Sequence, residues 1–469
     1  MTTGSFKTGA SREQASLLPA RIEDYVREDV SGLPFTVHPE IYTDPAIFEL
    51  ELKHIFEKTW NFITLESELA SPHDYVSARI GRTPVLVTRN KEGQVGAYLN
   101  ACRHKGSLIC ASAKGNARIH VCPYHSWSYD SGGRLVAIRD SGTGEYSDEF
   151  KNSNHDLIPL PRFESYRGFL FGSLSTEVPP LTEFLGGMKF FIDLLLDRYP
   201  EGVEIVPGVT SYTYGANWKF QLENSMDAYH LASTHKTYLD IIEKRRNAQR
   251  QDVKEVTWQL QEQRQGIYSF EHGHTALWIQ ETGKVDRPDD VAAEAVRAQV
   301  GDFKADWMRR ARNYLFFPNM QVQDGQALML RTYTPLAVDL TEMNTYCVAP
   351  INEDDETRNW RLRQYEDFFN VSGFATPDDS VVYEWSQEGN AAAGLPYLQG
   401  QVRGAARLHP GTDARLADAD ANPVTSCEAS MITCQETGAY QPYRVWLKMM
   451  QNGIASDRIA AQENAGEVL

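Results

Sequence analysis

The sequence predicts an α+β protein in which a small all-β module precedes a larger domain built on a central antiparallel sheet. Three observations carry that prediction. Between residues 74 and 175 apolar and polar side chains alternate in short runs broken by turn residues, as in "TPVLVTR", "NKEGQ", "VGAYLNA" and "WSYDSGGRLVAI", the pattern of short hairpin-connected strands. After "ESYRGFLFGSL" helical spacing and strand-like runs mix, which suits helices packed on an antiparallel sheet. With 469 residues, 42% of them hydrophobic, the chain is too long for one small domain and can bury a large core.

Taken in order, residues 1–37 are polar and unpatterned and predict a loose N-terminal arm. Residues 38–60 show helical apolar spacing up to about Trp60, a helix expected to pack on the larger domain. Residues 61–175 make the β module, whose Ser131-Gly132-Gly133 suits a hairpin turn. Residues 176–455 form the second domain: a helix over 181–198, a strand around 208–216, and a helix opening near Asn217 and running through "WKFQLENSMDAYHLASTH". Strand-like "NTYCVAPI", a helix over 355–370 and a closing amphipathic helix near "YRVWLKMMQ" follow. The Ala-, Asp- and Pro-rich run at 405–423 predicts a surface excursion, and residues 456–469 a tail.

A net charge of −17 argues against nucleic-acid binding, which wants a basic stripe. The opening "MTTGSFKTGASREQ" lacks the apolar core of a signal peptide, and "FFIDLLL" is interrupted by Asp193 and too short to cross a bilayer. A cytoplasmic protein with no membrane partner is expected. Six cysteines in so long a chain fit a reducing compartment; Cys110, Cys347, Cys427 and Cys434 are expected to be plain buried thiols.

Two stretches carry chemistry. "ACRHKGSLIC" and "VCPYHSWSYD" each place a cysteine beside a histidine, as Cys102-x-His104 and Cys122-x-x-His125, with 17 residues between His104 and Cys122. Two Cys and two His can bind zinc, but zinc fingers usually pair Cys with Cys and His with His. In a Rieske [2Fe–2S] centre two thiolates hold one iron and two imidazoles the other, so each loop tip must supply one of each. The mixed order predicts the cluster.

Such a cluster moves one electron at a time and needs a partner centre. In "ENSMDAYHLASTH" lie Asp227, His230 and His235. Asp227 and His230, three apart, would share a helix face. His230 and His235 fall about 140° apart on an ideal helix, so both can reach one metal only if the helix ends, kinks or bulges there. A carboxylate completing the facial triad of non-haem Fe(II) is available from Asp378 or Asp379 in "SGFATPDDSVVYE", where the plain alternative is a helix cap and a first-turn acid.

With these motifs in place, the sequence resembles the large (alpha) subunits of the Rieske non-haem iron aromatic-ring-hydroxylating dioxygenases, most of all the branch acting on benzoate and anthranilate. The similarity spans roughly residues 38 to 455, including "NACRHKGSLIC", "CPYHSWSYDSGGRL", "NWKFQLENSMDAYHLASTH" and "RQYEDFFNVSGFATPDD". The resemblance implies that Cys102 and Cys122 ligate one cluster iron and His104 and His125 the other. It further implies that His230, His235 and the second aspartate, Asp379, hold the mononuclear Fe(II), and that Asp227 bridges an iron-bound histidine to a Rieske histidine of a neighbouring subunit. It implies a ring of three large subunits, usually with three small β subunits, and an external NADH-dependent flavin and iron–sulfur reductase, with or without a ferredoxin. The reaction implied is O2-dependent cis-dihydroxylation of an aromatic carboxylate.

Two positions depart from the family pattern: Lys105 stands where Arg is usual and Ser126 where Gly is usual. Lys loses the bidentate fork of Arg, and a Ser126 hydroxyl bonded to a cluster sulfur would raise the potential. Family pocket positions fall at Asn224, Met226, Ala228 and Leu231 and around "LFFPNMQ", which includes Phe316; Arg331 is a candidate cation for a substrate carboxylate. Competing readings are a Rieske monooxygenase on salicylate, a dioxygenase on an aminoarene, a pure Rieske electron carrier, and a zinc-stabilised binding protein.

Overall fold

The computed structural model describes residues 22–30, 33–247, 263–280, 287–325 and 327–466. A strongly curled set of antiparallel strands dominates the second domain. Its order is Val203–Ile205, Leu340–Pro350, Leu328–Ala337, Met320–Asp324, Ala311–Phe316, Thr275–Ile279, Arg264–Ser269, Thr425–Ser430 and Leu408–Pro410, with Thr210–Tyr214 also paired to Leu340–Pro350. Successive side chains on a strand point to opposite faces, so this sheet separates two apolar cores. Leu277, Ile279, Ala311, Leu315 and Met329 enter one, while Ala276, Trp278, Tyr314, Phe316, Met320 and Leu330 enter the other.

The first face is covered by the helices Trp218–Asn224, Ala375–Asn390 and Tyr440–Gly466, through Trp218, Ala375, Tyr383, Tyr440 and Trp446. The second face packs against Met188–Asp197 and against Trp60, Phe62, Phe169 and Phe171 of the β module. The β module therefore docks on the side of the sheet opposite the histidine-bearing segment.

The β module is closed by Asn61–Leu65 pairing with Phe169–Ser173. Inside it, a four-stranded sheet (Val95–Leu99, Thr83–Arg89, Asp74–Ile80, Lys114–Asn116) packs near a three-stranded one (Leu135–Ala137, Ser128–Asp130, Ile119–Val121). The Cys102 and Cys122 loops follow Val95–Leu99 and Ile119–Val121 directly.

Several sequence expectations need correction. Of the expected arm, residues 1–21 and 31–32 lie outside the described residues. In the rest of it, Val26–Val30 and Leu33–Val37 pair as an antiparallel hairpin, and Tyr25, Phe35 and Val37 are buried, Phe35 stacking on Tyr440 at 4.3 Å. The charged run Arg27, Glu28 and Asp29, half-buried to exposed, hid the first strand. The single helix expected over 38–60 is broken at Asp44, whose carboxylate caps Ala46 N at 2.7 Å with Pro45 as first helical residue. The expected tail is helical as far as Gly466. The histidine helix stops at Asn224.

The start of that helix is held in place by a buried charge. Glu51, fully enclosed, accepts from Lys219 Nζ at 2.6 Å, Trp218 Nε1 at 2.8 Å and Trp446 Nε1 at 2.7 Å. A buried ion pair persists only when every lone pair is used, and here it ties three helices together just upstream of His230.

Candidate metal centres and substrate cavity

The two cysteine loops share one backbone design. In the first, Cys102 N donates to Ser107 O and Gly106 N to Cys102 O, both at 2.8 Å; in the second, Cys122 N donates to Trp127 O at 2.8 Å and Ser126 N to Cys122 O at 3.0 Å. Gly106 and Ser126 both have positive φ, 73° and 60°, which lets each loop fold back over its cysteine. His104 and His125 lie with ring centroids 4.5 Å apart, and the Nδ1 atoms of both are buried without a hydrogen-bond partner. Trp127 stacks on His104 with ring centroids 5.0 Å apart.

Cys102 and Cys122 are buried. Burial raises the Cys122 pKa, but backbone N–H groups of Tyr124 and His125, with the side chains of Cys102 and Ser107, pull it below the usual thiol value, as a metal-binding thiolate requires. A single zinc would draw all four donors within about 4 Å of one another. Among the described residues the one group of three or more donors mutually within 4.8 Å lies elsewhere. Two thiolates and two orphaned imidazole nitrogens held as separate pairs fit a two-iron cluster instead. Tyr129 also reaches a cysteine sulfur, its hydroxyl lying 3.5 Å from Cys102 Sγ. Ser126 is exposed.

The tight donor group is His230, His235 and Asp379. His230 precedes and His235 ends the single turn Leu231–Thr234, so the two imidazoles converge because the helix is broken before one and stops at the other. Asp227 sits in the irregular link between the two helices; its contact with His230 comes from that link rather than from a shared helix face. Asp379 Oδ1 is 3.3 Å from His235 Nε2 and 3.7 Å from His230 Nε2. It lies within the helix Ala375–Asn390, and its neighbour Asp378 faces His235 Nδ1 at 3.5 Å.

Asp227 Oδ2 is 3.1 Å from His230 Nδ1, which places the proton on Nδ1 and leaves the Nε2 lone pair toward Asp379. Burial alone would lower the His230 pKa; the bond to Asp227 and the charges of Asp227 and Asp379 outweigh it and raise the pKa. Burial likewise works against ionised Asp379, yet the bond to His235 and the charges of His235, His230 and Arg331 keep its pKa below the usual carboxylate value. Two imidazoles and one carboxylate on one side, with the other side open to a cavity, suit a ferrous ion with free positions.

Comparison with known proteins agrees with both centres. Residues 59–152 match the model of the Rieske [2Fe-2S] domain, and residues 206–452 that of the ring hydroxylating alpha subunit catalytic domain. The chain is 36% identical to toluate 1,2-dioxygenase subunit alpha of Pseudomonas putida (93% of this chain, 96% of that one). It is 37% identical to the 2-halobenzoate 1,2-dioxygenase large subunit of Burkholderia cepacia (93% and 94%). The crystal structure of naphthalene 1,2-dioxygenase from Rhodococcus sp. superposes with a TM-score of 0.79 at 25% identity, covering 94% of this chain and 99% of that one.

The chain belongs to the ring-hydroxylating dioxygenase alpha subunits. As such it is an oxygenase, the terminal component of an aromatic-ring-hydroxylating system, and binds a Rieske cluster and a mononuclear non-haem iron. No helix among the described residues is long and apolar enough to cross a membrane.

Against the triad of this alpha subunit lies a cavity. Asn224, Ala228, Leu231 and Arg331 line it. Asn224 does more than line: its Nδ2 is 3.1 Å from Asp379 Oδ1 and 3.2 Å from His230 Nε2. Phe316 does not reach the cavity. It points into the opposite core, because alternate residues of Ala311–Phe316 face opposite ways and Ala311 and Asn313 take the cavity side. Met226 lines a second cavity behind the triad, with Glu223, Asp227 and Glu436. Burial, then the charge of Asp227, pushes Glu436 up to about 7.

The stretch "LFFPNMQ" already held Gln321 of the first cavity's polar lining, but sequence reasoning missed Asn313 and Gln323 beside it. Their every-other-residue spacing in "RNYLFFPNMQVQD" was the available signal.

Proposed function

We propose that this alpha subunit catalyses cis-dihydroxylation of a small aromatic carboxylate such as benzoate, anthranilate or a substituted benzoate. The observation that carries this is the three-donor group His230, His235 and Asp379, which has its donors on one side and an apolar-walled cavity on the other. The relatives named toluate, 2-halobenzoate and anthranilate dioxygenase support a carboxylate on the ring.

In this reading Cys102, His104, Cys122 and His125 hold the cluster, and His230, His235 and Asp379 the ferrous ion. When bound, the two centres supply single electrons and O2 activation. The chain's own residues do the rest. Asp227 keeps the His230 proton on Nδ1, Asn224 steadies Asp379 Oδ1 through its amide N–H, and Leu277, Ile279, Met329 and Phe368 exclude water around the ring. The overall reaction adds both atoms of O2 to adjacent ring carbons. NADH and one proton supply the two electrons and two protons, through a separate flavin and iron–sulfur reductase and, in some such systems, a ferredoxin.

A ring of three alpha subunits, with or without β subunits, is part of the proposal. It is supported by the β module docking on the sheet face opposite the triad and by exposed Tyr229, Val382 and Trp385 near Asp227 and Asp379, available to a neighbour.

The test supplies reductase, NADH and ¹⁸O2 to the iron- and sulfide-replete protein with a panel of benzoates, salicylate and aminoarenes. Two labelled oxygens in a cis-diol, or in the catechol formed from it, are expected. A single label, as from salicylate hydroxylation, would replace dioxygenation by monooxygenation; no oxygenated arene at all would overturn the proposal.

A further inference from the structure

One wall of the first cavity contains a buried cation with no counter-ion. Arg331 is 3% exposed; its Nη2 donates to Phe369 O at 3.2 Å and to Thr376 Oγ1, and its Nε has no hydrogen-bond partner. The other four arginines described as buried, Arg198, Arg287, Arg312 and Arg361, each pair with an aspartate or glutamate. Arg331 pairs with none among the described residues. Asp379 senses its charge, but the Asp379 carboxylate faces His235, His230 and Asn224. A buried, unpaired guanidinium is costly unless an anion arrives to meet it.

The residues beside it are oriented as donors. Gln321 lies directly across the ladder from Arg331, and Asn313, paired with Gln323 on the next strand, shares that face. A chain of side-chain bonds runs in one direction: Tyr383 O–H to Gln221 Oε1 at 3.4 Å, Gln221 Nε2 to Gln321 Oε1 at 2.7 Å, and Gln321 Nε2 to Asn313 Oδ1 at 2.8 Å. Every amide oxygen in the chain is used, so the free end is the Asn313 amide N–H2, at the cavity. Tyr383 stands one helical turn beyond Asp379, so the same helix carries a metal-triad residue and the start of the relay.

Resting on the reading of this chain as an aromatic-carboxylate oxygenase, we propose that Arg331 and Asn313 form its carboxylate-binding wall, and that Tyr383, Gln221 and Gln321 are positioning residues that hold Asn313 with its N–H groups toward the substrate. Arg331 offers only donors and the Asn313 oxygen is taken by Gln321, so this pair favours a carboxylate over the carboxamide, which presents an N–H2, and over a methyl group, which leaves the donors unpaired. Sites that bury polar groups for one substituent reject the analogue lacking it far more strongly than apolar pockets discriminate by size.

The probes are benzoate, benzamide and toluene, titrated calorimetrically into the iron-replete protein. The wild type should bind benzoate at least tenfold more tightly than benzamide. Arg331→Gln should weaken benzoate by about 30-fold or more while benzamide and toluene change little, and Arg331→Lys should recover part of the loss. Should Arg331→Gln fail to fold, Asn313→Asp serves: it is isosteric, half-exposed to the cavity, and should repel benzoate without weakening benzamide. Gln321→Glu, which removes the donor to Asn313 Oδ1, should lower the benzoate-to-benzamide affinity ratio, a readout that general loosening of the fold would not move.

Equal affinity for benzoate and benzamide in the wild type, or an Asn313→Asp variant whose benzoate affinity is unchanged, would overturn the inference. Because the titration needs no turnover, a protein that binds benzoate through Arg331 but oxidises nothing would uphold this wall and sink the reaction. Oxidation of benzoates with indifference to Arg331 would do the reverse.

Discussion

Gly106 and Ser126 occupy the same place in two loops: each is the fourth residue after a cysteine, Cys102 or Cys122, each donates its N–H to that cysteine's carbonyl, and each has positive φ. Glycine adopts this conformation freely, whereas a residue with a Cβ is strained there by roughly 1 kcal/mol. Ser126→Gly is therefore expected to stabilise the β module by about 0.5–1 kcal/mol, the relief of strain being partly offset by a more flexible unfolded chain. Ser126 is exposed, so its replacement should leave the redox midpoint unchanged. A denaturant melt and a redox titration check both.

Tyr129 is a side chain that reaches a cysteine sulfur, its hydroxyl 3.5 Å from Cys102 Sγ and itself accepting from Arg103 N at 3.2 Å. A hydrogen bond to sulfur favours the reduced, more negative cluster. A differential of about 1 kcal/mol for such a bond corresponds to roughly 40 mV for one electron. Tyr129→Phe should lower the midpoint by that order with the cluster still assembled, as its visible spectrum will show.

How much of this was legible follows from whether a feature is local. Each Cys/His pair closes within one loop, so its spacing alone announced a cluster. His230 and His235 were legible as a pair with a helix end between them, because helix geometry forbids their convergence otherwise, and the turn does end at His235; the earlier stop at Asn224, which leaves Asp227 in a link, was not foreseen. Asp379 comes from another helix far along the chain, and only the family resemblance chose it over Asp378. Pocket residues fared worst. "LFFPNMQ" is mostly apolar, and its short polar alternation does not by itself say that Phe316 faces one core while Asn313 and Gln321 face the cavity. That depends on strand register, which is fixed by pairing partners elsewhere.

Asp227 and His230 make the next testable pair. Partners that hold the far nitrogen of a metal-binding imidazole are worth about 10- to 100-fold in metal affinity or activity. Asp227→Asn keeps an acceptor for His230 Nδ1 but removes the charge that raises its pKa. Turnover of a benzoate should fall by at least about tenfold, with the cluster unaltered in its spectrum. Iron analysis alongside separates loss of metal from loss of activity at full metal loading.

Stability toward acid has one identifiable source in His274, which has no exposed surface. Its Nε2 donates to Phe184 O at 3.0 Å and its Nδ1 accepts from Phe317 N at 3.0 Å, so both ring nitrogens are used by the neutral form. Burial first, and then the neighbouring His272, hold its pKa down at about 3. In the unfolded chain the same ring titrates near 6.5. Above that pH neither state is protonated and the group adds no pH dependence. As the pH falls from about 6.5 toward 3, the unfolded state takes up a proton that the folded state refuses, so stability drops with acidification. At pH 5 the loss from this one group is about 2 kcal/mol. His274→Gln should be less stable than the wild type at pH 7, since no amide matches both bonds, yet lose less between pH 7 and pH 5. Urea melts of the two proteins at both pH values give the comparison, and parallel losses would show that His274 is not the group responsible.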